Sequence, residues 1–467
     1  MTLDHAPLVT VYITNHNYGD FIKRSVESVL AQTMTDYELI IIDDGSSDHS
    51  REIIERYADH PQITPIFQQN KGLTVTNNIA IRAARGKYIV RLDADDWLDE
   101  HMLEILSNVL ERNPDVGMVF PDYYHVDAKG NVIEQVQRHD FDDVTLQDQP
   151  AHGACTMIRH DCLLELGGYD ETIRCQDGYD LWIRFIEQFK VRNVNLPLFF
   201  YRQHGSSLTK NEERILATRG EILQRHAKRK NQQCNTTAII ALRGPEFDPL
   251  SPALKKLAGQ PLVNWTIHSA LNASRIKHVV LTTPDHAVIE SVKKDYGEQV
   301  QCILRDPKLA MLNTYIEDTI FDALGQLGTS TNAQDAIMRL SIESPFRGPR
   351  IIDAAIDVME LFDADSVIGV RPETDFMYRH NGAGLIPPQP AESLRLEREE
   401  LYREVGGLWL TSLERFKETK SITSGRIAHV VVDQRSSFRI RSQTDWQIAE
   451  IHAADATNQD STLKGLA

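Results

Sequence analysis

Gly86-Lys87-Tyr88-Ile89-Val90-Arg91-Leu92-Asp93-Ala94-Asp95-Asp96 is a mostly apolar run that stops in three carboxylates. Side chains alternate along an extended chain, so Asp93 and Asp95 leave the strand end on the same side while Asp96 turns into the following loop. Hard oxygen ligands at that spacing suit Mg²⁺ or Mn²⁺ bridging a diphosphate. The same residues also read as an Asp-rich turn capping a helix that starts near Trp97-Leu98-Asp99.

The flanking sequence repeats the arrangement. Residues 8–14 are an apolar strand followed by a polar turn and a helical stretch over 21–32. Tyr37-Glu38-Leu39-Ile40-Ile41-Ile42 has the continuous apolar character of a strand buried on both faces. It runs into Asp43-Asp44-Gly45-Ser46-Ser47-Asp48, after which residues 51–58 have helical spacing. Strand-helix alternation predicts a mostly parallel sheet with its ligand site at the carboxyl ends of the strands. Both Asp clusters fall at such ends.

Residues 211–233 predict a charged helix that closes this first lobe, its basic end a solvated face. A fresh strand over 237–242, a helix over 261–273 and a strand over 278–282 then begin a second α/β unit. The expected domains are residues 1–232 and 233–467. Leu385-Ile386-Pro387-Pro388-Gln389-Pro390 reads as a loop, and the tail after His452 is expected to fray.

At 467 residues the chain exceeds one ordinary core. A net charge of −17 excludes a nucleic-acid groove, which needs clustered Lys and Arg. Five cysteines, odd in number and without a CxxC pair, fit reduced thiols of a cytoplasmic enzyme and no metal site. No stretch reaches the roughly 18–20 apolar residues of a membrane span, and Asp4 without a basic region is no signal peptide. The expected location is cytoplasmic, with peripheral association at the inner face of the membrane.

The segments over 9–17, 40–48, 85–96 and 176–184 resemble the inverting family 2 glycosyltransferases, which have the nucleotide-sugar-binding GT-A fold. Ile13-Thr14-Asn15-His16-Asn17-Tyr18 resembles that family's first strand and turn, and residues 43–48 match its DDGSxD segment residue for residue. The resemblance implies that Asn15, Asp44 and Asp93 bind the donor and that Asp95 holds the cation. It also implies a general base in Cys175-Gln176-Asp177-Gly178-Tyr179-Asp180, where Gln176 replaces the usual Glu and the register shifts by one residue. Asp177 is favoured over Asp180, which otherwise reads as a cap on a helix with Leu181, Trp182 and Phe185 in the core. Ala151-His152-Gly153-Ala154 and Leu166-Gly167-Gly168-Tyr169-Asp170 resemble the acceptor side, where glycine admits a sugar. Tyr201-Arg202-Gln203-His204-Gly205 resembles the loop that closes over the diphosphate, with Arg202 on phosphate and His204 a further metal ligand or a plain surface residue.

From about 236 to 452 the chain resembles the cytidylyltransferases that make CMP-sialic acid and related CMP-sugars. Ala238-Ile239-Ile240-Ala241-Leu242-Arg243-Gly244 and Ser344-Pro345-Phe346-Arg347 carry that likeness. The family's phosphate-binding lysines are replaced by Phe247 and Pro252, and its metal aspartates by Arg439 and Arg441. Two α/β nucleotide-diphospho-sugar transferase-like (Rossmann-like, GT-A type) domains in tandem are therefore expected, the second without catalysis. The expected activity is cation-dependent, inverting transfer from a nucleotide-sugar, UDP-linked in the first instance, to a glycan acceptor. The protein is expected to form homo-oligomers through its C-terminal domain, as the resembled synthetases commonly do. Rival readings are a bifunctional transferase and CMP-sugar synthetase, in which Arg439 and Arg441 bind an anion in place of the metal, and a non-catalytic nucleotide-sugar-binding scaffold.

Overall fold

The computed structural model describes residues 6–138, 146–148, 150–204, 212–230, 234–328, 335–373, 375, 377–386 and 401–464, with the side chains of 455–464 outside the description. Packing divides the chain into two units, Met1–Asn211 with Asp375–Glu399, and Glu212–Thr374 with Glu400–Ala467.

The first unit alternates strands and helices in the order β1 (Val9–Asn15), α1 (Gly19–Leu30), β2 (Tyr37–Asp44), α2 (Ser50–Glu55), β3 (Ile63–Gln68), α3 (Leu73–Ala83) and β4 (Tyr88–Asp93). Then come β5 (Trp97–Leu98), α4 (Met102–Arg112), β6 (Val116–Val126), β7 (Val132–Val136), β8 (Met157–Arg159), α5 (His160–Glu165), α6 (Asp177–Ile186) and β9 (Lys190–Arg202). The sheet order is β3-β2-β1-β4-β8-β6-β9-β5, with β7 on β6, and its first four strands are parallel.

Every residue of β1 and β2 is buried, as an apolar run inside a covered sheet requires. Successive side chains go to opposite faces. Val11, Ile13, Leu39, Ile41 and Val90 join Ile22 and Val26 of α1 and Leu103 and Leu106 of α4, while Tyr12, Ile40, Ile42 and Ile89 join Ile81 of α3 and Trp182 and Phe185 of α6. Asn15 stands opposite Asp43 and Thr14 opposite Asp93, so the acidic ends of three strands finish level on one edge.

Trp97 and Leu98 do not begin a helix. They form β5, antiparallel to Phe200 and Phe199, because Trp97 stacks on Phe200 at 4.9 Å and Arg24 lies over the indole at 3.4 Å. The helix starts at Met102.

The second unit runs α7 (Glu212–Lys230), β10 (Asn235–Ala241), β11 (Lys256–Leu257), β12 (Gln260–Pro261), α8 (Leu262–Leu271), β13 (Ile276–Thr283), α9 (His286–Tyr296), β14 (Gln301–Leu304), α10 (Ile316–Leu327), β15 (Asp335–Leu340), α11 (Pro349–Leu361) and β16 (Ser366–Glu373). A short ribbon, β17 (Arg379–His380) and β18 (Leu385–Ile386), lies in the stretch grouped with the first unit. Next are β19 (Leu401–Ser412), α12 (Leu413–Thr419), β20 (Ile427–Val431) and α13 (Gln443–Lys464). The sheet order is β14-β13-β10-β15-β19-β16-β20, with β19 antiparallel between β15 and β16.

Helix α7, expected to close the first lobe, packs on α11 instead, and Lys230 Nζ donates to Leu361 O at 2.8 Å. The division therefore falls at 211/212 rather than 232/233. The tail expected to fray after His452 is helical to Lys464. Pro387 onward in the Pro-rich stretch, Gly205 and Gln233 lie outside the described residues.

Candidate active site

The edge formed by β1, β2 and β4 is built from carboxylates that organise backbone. Asn15 Nδ2 donates to Asp43 Oδ1 at 2.8 Å and to Ser46 Oγ at 3.1 Å, closing the turn after β2. Gly45 has φ +73°, and a Cβ there would meet Asn70 N at 2.6 Å, so this turn requires glycine. Asp48 receives Gly19 N at 2.8 Å and Ser50 N at 3.0 Å, serving the starts of α1 and α2. Asp44, expected on the donor, accepts Gln68 Nε2 (2.8 Å), Lys71 N (2.8 Å) and Gly72 N (2.9 Å), which fixes the loop that opens α3.

Asp93 and Asp177 are joined by Arg91, whose role nothing near it in sequence discloses. Arg91 is 8 % exposed. Its Nε and Nη2 donate to Asp93 Oδ1 at 2.7 Å and Oδ2 at 3.1 Å, and its Nη1 donates to Asp177 Oδ2 at 2.8 Å. Asn77 Nδ2 of α3 donates to the same Asp177 oxygen at 3.2 Å. Asp177 opens α6 behind Gln176, which takes the left-handed conformation at φ 58° and turns the chain into the site. The available signal was a lone arginine within an apolar strand buried on both faces.

Asp180, the alternative base, goes elsewhere. It is 2 % exposed and accepts Arg184 Nε at 2.9 Å one helical turn on, while Arg184 Nη1 donates to Leu166 O. Leu181, Trp182 and Phe185 are buried as expected.

Asp95 Oδ2 and His204 Nε2 are hydrogen-bonded at 2.9 Å. His204 is buried, stacked on Phe21 at 5.0 Å and edge-on to Tyr18 at 5.6 Å, so it is no plain surface residue. Burial, and next the charge of Asp93, push the Asp95 carboxyl above the usual carboxylate range, with His204 pulling the other way. Asp96 is turned fully inside, where its Oδ1 accepts Arg202 N at 2.9 Å. Burial and then Asp95 raise its carboxyl strongly.

Arg202, expected on the diphosphate, is 5 % exposed and committed elsewhere: Nε donates to Asp95 O (2.9 Å), Nη1 to Ala128 O (2.8 Å), and the guanidinium lies over the rings of Phe21 and Trp97. It is a strut beneath the carboxylate turn. The acceptor-side glycines also serve packing: a Cβ on Gly168 would meet Asn78 Oδ1 at 2.5 Å, and one on Gly178 would meet Gly153 Cα at 3.0 Å.

Among the described residues no three His, Cys, Asp or Glu side chains gather to hold a metal ion unaided. A carboxylate oxygen and an imidazole nitrogen do converge at Asp95 and His204, under an excess of negative charge. That donor pair fits a cation completed by phosphate oxygens, the usual way Mg²⁺ is bound.

In the second unit the strand ends are closed by protein groups. Asp285 accepts Glu246 N at 2.8 Å, and a Cβ on Gly244 would meet Asp285 Oδ2 at 2.2 Å, so the loop after β10 folds onto that carboxylate. Arg439 Nη2 donates to Glu343 Oε2 at 2.9 Å, and Arg441 N to Asp445 Oδ2 at 2.9 Å. No helix among the described residues is long and apolar enough to cross a membrane.

Residues 10–167 match the model of glycosyl transferase family 2, and residues 253–378 that of cytidylyltransferases. The first match ends before Asp177, and the second begins at Ala253, within the stretch between β10 and β11. Chondroitin synthase of Escherichia coli is 32% identical over 210 residues, 44% of this chain and 30% of that protein. Hyaluronan synthase of Pasteurella multocida is 26% identical over 257 residues, 54% of this chain and 26% of that protein. The chain thus spans less than a third of the length of these relatives. An uncharacterized glycosyltransferase of Methanocaldococcus jannaschii is 30% identical over 241 residues, 49% of this chain and 82% of that protein. Among solved structures, S. aureus TarS in complex with UDP-GlcNAc aligns with a TM-score of 0.41 and 15% identity, over 46% of this chain and 65% of that one. Through its first unit, the chain belongs to glycosyl transferase family 2.

Proposed function

We propose that the first unit transfers a sugar from a nucleotide diphosphate donor to a hydroxyl of a glycan, with inversion at the anomeric carbon. The observation that carries this reading is that Asp93 and Asp177 share one buried guanidinium at the carboxyl ends of the strands. A carboxylate able to take a proton thereby stands beside the donor-side carboxylates. In one displacement the acceptor oxygen bonds to the anomeric carbon opposite the leaving group, and the bond from that carbon to the diphosphate oxygen breaks. The nucleoside diphosphate leaves with the electron pair, and the hydroxyl proton passes to Asp177. A single displacement inverts.

Asp44 and Asn15 shape the donor pocket by fixing the loops after β2 and before α3. Asp95 and His204 would hold a divalent cation, Mg²⁺ or Mn²⁺, whose charge offsets that of the departing diphosphate. The relatives named as synthases of chondroitin and hyaluronan support a polysaccharide chain as acceptor. The second unit is taken as a cytidylyltransferase fold without catalysis.

The test is to incubate the full chain with a panel of nucleotide-sugars, UDP-linked ones first, with Mg²⁺ or Mn²⁺ and glycan acceptors. Acceptor-dependent release of nucleoside diphosphate is expected. Equal release by Asp177→Asn would overturn the role given to the base.

A further inference from the structure

The geometry points to Arg91 as a positioning residue that sets the proton acceptor in register with the donor site. Three donors of one guanidinium reach two carboxylates, Nε and Nη2 on Asp93 and Nη1 on Asp177. Only a planar fork spans both at once; an ammonium is a single point of charge. The fork is itself held. Arg91 sits in β4 between strands, 8 % exposed, with the hydroxyl-bearing side chains of Tyr12 and Tyr169 around it. Tyr169 belongs to the turn whose backbone N and O bond Asn78 at 2.8 and 2.9 Å. The neighbouring Asn77 is the second donor to Asp177.

Asp93 ends a strand paired with β1 along its whole length and with β8 over Tyr88–Val90, whereas Asp177 opens a helix after a left-handed residue, at a place no strand pairing secures. Arg91 is therefore the link that transfers the rigidity of the sheet to α6. Displacing a reacting group by about 1 Å costs on the order of 10²-fold in rate, which sets the scale of the effect. Without the guanidinium, two carboxylates would also face each other at a buried edge, and like charges would drive Asp177 away from the donor. Arg91 touches neither reacting atom in this scheme; it acts through Asp177 and Asp93.

The inference rests on the proposed glycosyl transfer, and a double-mutant cycle separates the two. Donor affinity and initial rates are measured for the full chain, Arg91→Lys, Asp177→Asn and the double variant. Arg91→Lys is expected to lower kcat about 10- to 100-fold with a smaller rise in donor KM. It is expected to add little further loss on top of Asp177→Asn, because the two residues act as one unit. If Asp177→Asn turns over like the wild type, the proposed base is wrong. If Asp177→Asn is slow but Arg91→Lys multiplies the loss by the same factor in both backgrounds, the base stands and the positioning role falls. Arg91→Gln, a planar donor too short to span both carboxylates, completes the cycle if Arg91→Lys does not fold.

Discussion

Arg91 Nη1 donates to Asp177 Oδ2 at 2.8 Å across 86 positions of sequence, so a strand of the sheet reaches directly to the first residue of α6. The relationship separates the two carboxylates between which the sequence leaves the base. Asp177→Asn is expected to bind donor but transfer sugar on the order of 10²-fold more slowly, the usual scale for losing acid-base catalysis. Asp180→Asn is expected to behave oppositely. It breaks a buried pair with Arg184, which costs about 3–5 kcal/mol, so its melting temperature falls while the rate per folded molecule stays near that of the wild type. Rates and thermal melts of both variants decide, and an inactive but fully stable Asp180→Asn would reverse the assignment.

Asp95 and His204 make a second pair with a separable prediction. Each offers one donor atom to the proposed cation, and His204 is locked by Phe21 and Tyr18. Asp95→Asn and His204→Asn are expected to raise the Mg²⁺ or Mn²⁺ concentration needed for half-maximal rate by about tenfold or more, since even supporting residues of a metal site carry 10- to 100-fold. Asp95→Asn should keep its fold, because it swaps one oxygen at a strand end without loss of core volume. Full turnover in excess chelator would remove the cation from the scheme.

What the sequence discloses of this site follows the range of the interactions. Strand ends are legible because β2 carries six consecutive buried residues before its carboxylates, and local apolar runs declare themselves. The Asp43-to-Asp48 turn is legible through its match to the family segment, and Asp48 bonds the amides that open α1 and α2. Arg91 was not: nothing near it in sequence marks a partner beyond position 170. Arg202 is placed on the diphosphate only by the resemblance of residues 201–205 to the family's closing loop, whereas its guanidinium closes on two backbone carbonyls and two rings. Helix α7 misled through its charge pattern, which says that a helix forms but not which lobe it covers. Trp97-Leu98 reads as a helix start in sequence because the strand it pairs with lies about a hundred residues on.

The first unit carries two opposed pH signatures. Burial pushes the imidazole of His152, set against Tyr123, Phe199 and Tyr201, down to about 4 from 6.5. Its folded-state pKa lies below the unfolded one, so between pH 6.5 and 4 the unfolded chain takes up a proton that the folded chain refuses, and stability falls as the pH drops through that window. Burial pushes the Asp122 carboxyl up to about 6 from 3.8, so stability contributed by that group falls as the pH rises from 3.8 to 6. Urea midpoints measured from pH 4 to 7 are expected to lose part of their acid-side decline in His152→Phe and to decline more steeply toward acid in Asp122→Asn. Unchanged slopes in both variants would contradict the assignment.

The second unit gives the last prediction. Transfer of CMP from CTP requires groups that hold the triphosphate and a cation that stabilises its displacement. Here Phe247 and Pro252 stand where the resembled enzymes place lysines, and the loop between them and β10 is folded onto Asp285, a carboxylate of the wrong sign for a phosphate cradle. At the position of the metal aspartates stand Arg439, whose guanidinium is paired with Glu343, and Arg441, whose backbone N–H donates to Asp445, so the side-chain charges there are opposite to those a cation needs. The full chain is therefore expected to release no pyrophosphate from CTP and Mg²⁺ in the presence of acidic sugars. It is also expected to show no rise in melting temperature with CTP, because binding to the folded state alone would stabilise it by mass action. Sugar-dependent pyrophosphate release would make the second unit an enzyme, whereas a thermal shift without release would give it a nucleotide-binding role that the arginines rather than a metal must explain.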